Sequence, residues 1–109
     1  MKLSDLEKAL SPAVIAAREE DREILGVYAG DLLSRAMSHV REGDLWITIM
    51  NNRNVLAVAG LADAAAVLLA EGVTLLPDAL EAARDNGIAV YSTDKTVYEV
   101  CSLLAGYGV

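Results

Sequence analysis

Hydrophobic and polar positions along the chain change period repeatedly, from helical spacing to short continuous runs, and each change marks a new element. Ser4 followed by Glu7 has capping-box spacing, which predicts a first helix over 5–10 that Pro12 prevents from continuing. Two short apolar runs, 13–17 and 24–28, read as strands, separated by the charged run 18–23, a solvated turn or an added helical turn. Gly30 gives flexibility, Asp31 is placed to N-cap, and Leu32, Leu33, Ala36, Met37 and Val40 recur at helical spacing until Gly43 supplies a stop. The β-branched and aromatic residues of 45–50 predict a strand.

The stretch 55–70 has two readings by periodicity: strand then helix, or a helix capped by Asn54 and running to about Leu61, followed by a buried strand at 66–70. Spacing favours the second. It puts strands near 45–50, 66–70 and 88–91 with a helix in every gap, the rhythm of parallel βαβ units. Pro77 and Asp78 then open a helix that Gly87 closes, and Thr93 caps a final helix carrying Val97, Val100, Cys101 and Leu104. The fold expected is a single, three-layer-like α/β domain over 1–109, a mostly parallel sheet of about five strands flanked by short helices.

Composition adds an association. A 109-residue chain that is 54% hydrophobic has more apolar surface than one small domain readily hides, so a homodimer is expected. The longest apolar runs, such as 64–70, are too short to span a bilayer, and no basic-then-apolar leader opens the sequence. With a formal charge of −7 and no Lys/Arg cluster, nucleic acid is not an expected partner, nor is a membrane. The single cysteine, Cys101, has no intrachain partner and reads as a small apolar residue, in keeping with a reducing cytoplasm.

In open α/β sheets, ligands gather beyond the carboxyl ends of strands, where loops meet helix N-termini. Three polar loops fall there: Gly30, Asp31 and Ser34; Asn51, Asn52, Arg53 and Asn54; and Ser92, Thr93 and Asp94. The second is the richest, because three amides and a guanidinium exceed what one turn and one cap require. Arg53 and a helix N-terminus are suited to a carboxylate or phosphate; the plainer reading makes Asn54 a cap, Asn51 and Asn52 a turn, and Arg53 a solvated side chain. Asp31, Ser34, Ser92 and Thr93 are candidates of the same kind, also accounted for as caps and exposed helix positions. His39, the single histidine, is late in a helix whose C-terminal end favours its cation, and no His/Cys cluster accompanies it, so no metal or cofactor is expected. Tyr28 and Trp46 read as strand aromatics. The sequence contains no glycine-rich phosphate loop followed by Lys, no GxGxxG and no GxSxG, and no acid pair stands out among 16 carboxylates.

Several segments together resemble the DRTGG-domain family: Gly26-Val27-Tyr28 leading to Asp31-Leu32-Leu33-Ser34 and Met37; Gly43-Asp44-Leu45-Trp46-Ile47-Thr48; Asn54-Val55-Leu56-Ala57-Val58-Ala59; and Gly87-Ile88-Ala89-Val90-Tyr91-Ser92-Thr93. The likeness covers nearly the whole chain from about Ala13. The letters of the family name do not occur as a run; Arg53 takes the place of its arginine, flanked by Asn52 and Asn54, with no paired glycines after it. The resemblance implies a fold related to the N-terminal domain of HPr kinase and to modules of some phosphotransacetylases and CBS-containing pyrophosphatases. It also implies a cytoplasmic, self-associating accessory domain of bacteria or archaea that acts beside a partner enzyme. The function expected is therefore a non-catalytic regulatory or interaction module, homodimeric, sensing a small anionic metabolite or nucleotide. The alternatives are a small phosphate-handling enzyme without a standard motif and a purely structural subunit.

Overall fold

The ambiguous stretch 55–70 forms a helix followed by a strand. The computed structural model describes residues 1–109 as α1 (Leu3–Leu10), β1 (Ala13–Ala16), β2 (Gly26–Ala29), α2 (Leu33–His39), β3 (Asp44–Thr48), α3 (Arg53–Ala62), β4 (Ala66–Leu69), α4 (Pro77–Asp85), β5 (Val90–Ser92) and α5 (Val97–Gly106). The five strands form one sheet in the order β1-β5-β4-β3-β2, with β2 to β5 mutually parallel and β1 antiparallel to β5. Strands β3 and β4 are buried along their whole length, which is why both read as unbroken apolar runs instead of alternating ones.

Side chains of the central strands alternate between two cores. Trp46, Val67, Leu69 and Val90 meet residues of α2, α3 and α4; Leu45, Ile47, Leu68 and Tyr91 meet residues of α1 and α5. Because β2, β3, β4 and β5 are adjacent in sequence order, crossovers of one hand carry α2, α3 and α4 to the same face. The first and last helices cover the other, which completes the three layers. Gly26 lets β2 run close to β3: a Cβ there would lie 2.7 Å from the Asp44 carboxylate.

Four expected helix caps are displaced, each because the residue proposed for it is used elsewhere or a better-placed one lies nearby. Helix α1 begins at Leu3, with the Lys2 amide donating to Asp5 at 2.9 Å, while the Ser4 hydroxyl donates to Asp21. The cap position of α2 is Leu32; Asp31 does not cap, since its carboxylate is taken by β3. Asn52, not Asn54, caps α3, its side-chain oxygen accepting from the Asn54 amide at 3.0 Å. Helix α5 is capped by Thr96, not Thr93, in a reciprocal pair with Glu99. On α2 the expected apolar stripe is only partly inward: Ala36 and Val40 are buried, whereas Leu32 and Met37 are exposed.

Candidate functional site

The polar loops singled out from the sequence do converge on the carboxyl end of the parallel strands, and three of their side chains, Asp31, Asn51 and Ser92, hold neighbouring loops together. Asp31, after β2, accepts from the Thr48 hydroxyl at 2.8 Å and from the Ile49 amide at 2.9 Å, tying its loop to the end of β3. The Thr48 hydroxyl in turn accepts from the Met50 amide at 3.1 Å. Asn51 reaches the next loop, its side-chain amide donating to the Thr74 carbonyl at 3.0 Å while its backbone carbonyl accepts from the Leu76 amide at 3.1 Å. Ser92 closes the series by donating to the Val73 carbonyl at 2.8 Å, beside backbone bonds from Gly72 to Thr93 and from Glu71 to Lys95. Thr93 accepts from the Lys95 amide within its own turn. Asp31, Asn51 and Ser92 are thus stitches between neighbouring loops.

The stitches leave Ser34, Arg53, Asn54 and Asp94 exposed and without a side-chain partner. Asn52 is spent on its cap, Asn54 is exposed in the first turn of α3, and Ser34 is exposed on α2 with no hydrogen bond. Arg53, the first residue of α3, is exposed and takes part in none of the protein's ion pairs. Its guanidinium stands at a helix N-terminus, where both its own charge and the helix dipole favour an anion. The strand order runs from β2 to β5 without reversal, so no switch-point crevice forms at this end.

A smaller but more enclosed hollow lies at the opposite, amino end of the parallel strands. A cavity of about 250 Å³ is lined by Arg18, Glu19 and Arg22 on one side and by Gly60, Gly87 and Ile88 on the other. Arg22 donates to the Asp63 carboxylate at 2.9 and 3.3 Å and to the carbonyls of Asp63 and Ala64, closing the C-terminal end of α3. Arg18 donates to Glu7 at 3.0 Å, and the same Glu7 oxygen accepts from the Tyr91 hydroxyl. Burial, and then the bond to Glu7, raise the Tyr91 phenol far above its ordinary ionisation range. Sequence reasoning missed this end, because 18–23 looks like a solvated turn and its partners lie up to 42 residues away.

Remaining candidates have structural surroundings. His39 ends α2, its Nδ1 2.9 Å from the Arg35 carbonyl and its ring stacked on Tyr28. Trp46 is buried, its indole N–H donating to the Gly30 carbonyl. Cys101 is half-buried, and burial pushes its thiol up, away from thiolate character. No three His, Cys, Asp or Glu side chains gather in a way that would hold a metal ion, and no helix is long and apolar enough to cross a membrane.

No curated protein matches the chain. Among solved structures, the fold is similar to the CBS and DRTGG domains of the regulatory region of Clostridium perfringens pyrophosphatase, a structure complexed with the activator diadenosine tetraphosphate. The TM-score is 0.74 at 18% identity, and the match covers 94% of this chain but 45% of that one. This chain therefore spans less than half of its structural neighbour. The family model for the DRTGG domain matches residues 5–106, which takes in all five strands and nearly all of the five helices. The chain belongs to the DRTGG-domain family.

Proposed function

We propose that this domain is a non-catalytic regulatory module, acting as a homodimer, that senses a nucleotide or another small anionic metabolite at the loop formed by Asn51, Asn52, Arg53 and Asn54. The observation that carries the reading is the division of labour at the carboxyl end. Asp31, Asn51 and Ser92 are consumed in bonds between loops, while the Arg53 guanidinium is unpaired on the frame those bonds hold. A nucleophile or general base needs a free, activated side chain; a binding site needs a fixed donor, which Arg53 supplies. The structural neighbour supports the regulatory part, since its activator is a nucleotide bound by a regulatory region that includes this fold.

The test is a thermal-shift screen of adenine nucleotides, diadenosine tetraphosphate and phosphorylated metabolites, followed by calorimetry on Arg53→Ala. A ligand that binds the folded state raises the melting temperature by mass action. Arg53→Ala should leave the ligand-free melting temperature within about 2 °C of the parent, as a surface substitution does, and weaken binding roughly ten- to a hundredfold, the value of a charge-assisted hydrogen bond. Unchanged affinity in Arg53→Ala removes the loop from the site. Phosphatase or nucleotidase turnover abolished by changing one loop residue overturns the non-catalytic reading.

A further inference from the structure

Strands β1 and β2 lie at opposite edges of the sheet, so the segment between them must cross its whole width at the amino end. Four strand spacings amount to about 19 Å, whereas the ten residue steps from Ala16 to Gly26 can reach roughly 33 Å when extended. The crossing chain therefore has slack while both strands stay paired. Its attachment is unusual too. Residues 17–21 make no backbone hydrogen bond with the rest of the backbone; the next fixed points are the Arg22 carbonyl, which accepts from Leu3, and the Ile24 amide, which donates to Met1.

What holds the segment is charge. Arg18 is paired with Glu7 and lies 3.8 Å from Asp21; Asp21 accepts from the Ser4 amide and hydroxyl at 2.9 and 2.7 Å; Arg22 grips Asp63; and Glu23 pairs with the N-terminal amine at 3.0 Å. Beneath it is the 250 Å³ cavity, whose floor is formed by Ala59, Ala64, Ala65, Ile88 and Ala89 together with Gly60 and Gly87. Glu19 reaches over that floor: a Cβ on Gly87, whose φ is +65°, would sit 2.7 Å from the Glu19 carboxylate. The carboxyl end is tied by hydrogen bonds to neutral backbone and hydroxyl groups; the amino end adds three ion pairs to the body, which salt screens, beside the bonds of Asp21 to Ser4 and of Arg22 to the Asp63 and Ala64 carbonyls.

We propose that residues 17–23 form a charge-latched strap that swings off the cavity floor as a unit, without unpairing the sheet. The strap is independent of the anion site at Arg53, which lies at the other end of the strands. Two amides report on it: Leu3, which donates to the Arg22 carbonyl, and Ser4, which donates to the Asp21 carboxylate. The Val67 amide, bonded to the Ala89 carbonyl inside the sheet, reports on the body of the domain.

Amide hydrogen exchange by NMR on the full chain tests this with the double variant Arg18→Gln/Arg22→Gln, which removes the latch charges but keeps polar side chains of similar reach. Exchange at Leu3 and Ser4 should accelerate at least about tenfold, the effect of favouring local opening by one power of ten, while Val67 and the emission of the buried Trp46 stay as in the parent. Raising the salt concentration of the parent should move the same two amides in the same direction. Glu20→Gln, which changes a charge at the cavity that latches nothing, should leave them unchanged. The strap is refuted by Val67 accelerating in step with the two amides, by equal rates in parent and double variant, or by Glu20→Gln having the same effect as the double variant.

Discussion

Replacing Asp31 by Ala separates a loop stitch from a ligand contact. In the folded protein one carboxylate oxygen serves the Thr48 hydroxyl, which is fully buried, and the Ile49 amide, which is at the surface. After Asp31→Ala the Ile49 amide turns to water, but the Thr48 proton has no acceptor, a penalty of about 1–3 kcal/mol for an unsatisfied buried group. With a smaller loss at Ile49 the total is about 2–3 kcal/mol. An unfolding entropy of roughly 2.1 cal/mol/K per residue over 109 residues converts each kcal/mol to about 4 °C. The melting temperature should therefore fall by about 9 to 13 °C, followed through the fluorescence of buried Trp46. Thr48→Val removes the hydroxyl that the carboxylate serves, so the pair should couple by about 1–2 kcal/mol in a double-mutant cycle. Ser34→Ala, exposed and unbonded, is the control and should shift the midpoint by no more than about 2 °C. A fall of less than about 2 °C in Asp31→Ala, or an additive cycle, would refute the reading of Asp31 as a stitch.

Two further outcomes depend on pH. The raised Tyr91 phenol favours its neutral form in the folded state, so its contribution is complete below the ordinary phenol pKa of about 10 and is lost as pH rises beyond it. An ultraviolet difference titration of Tyr91→Phe against the parent should be flat through that region and diverge only on unfolding; a phenolate signal from folded protein contradicts it. At the acid end the Ser4 hydroxyl first, and then its amide, hold the Asp21 carboxyl below its usual range, so that its contribution is present above the ordinary carboxylate pKa and lost as pH falls through the folded value. Ser4→Ala should raise the Asp21 pKa in a carboxyl-detected NMR titration; no movement means the hydroxyl bond is not what lowers it.

Elements with their own periodicity were legible in the sequence, and their order fixed the sheet. The βα rhythm decided 55–70 because a buried parallel strand such as 66–69 is recognisable by its distance from the next one when its own pattern is ambiguous. Caps were less legible, since Ser, Thr, Asn and Asp recur every few residues in these loops and only the folded chain chooses among them. One choice had a readable signal: Thr96 followed by Glu99 is itself a capping-box pair. The stitches were hidden for another reason. Asp31 and Thr48 are 17 residues apart and Asn51 and Thr74 are 23 apart, and they meet because adjacent strands bring successive loops into register. The 18–23 segment was illegible as a latch, because the partners of its charges lie on α1 and at the end of α3.

The placement of the first and last helices bears on how such a domain can be carried by other chains. Helices α1 and α5 share one face of the sheet, and Met1 and Tyr107 border the same shallow hollow. A host protein can therefore receive this fold through a single doorway, with the incoming and outgoing strands of polypeptide leaving side by side. The α2, α3 and α4 face and the carboxyl end of the sheet stay clear of that attachment. Chain added before Met1 would replace the terminal amine that pairs with Glu23, so an attachment on this side would touch the 17–23 segment; the pyrophosphatase regulatory region carries a similar fold together with CBS domains.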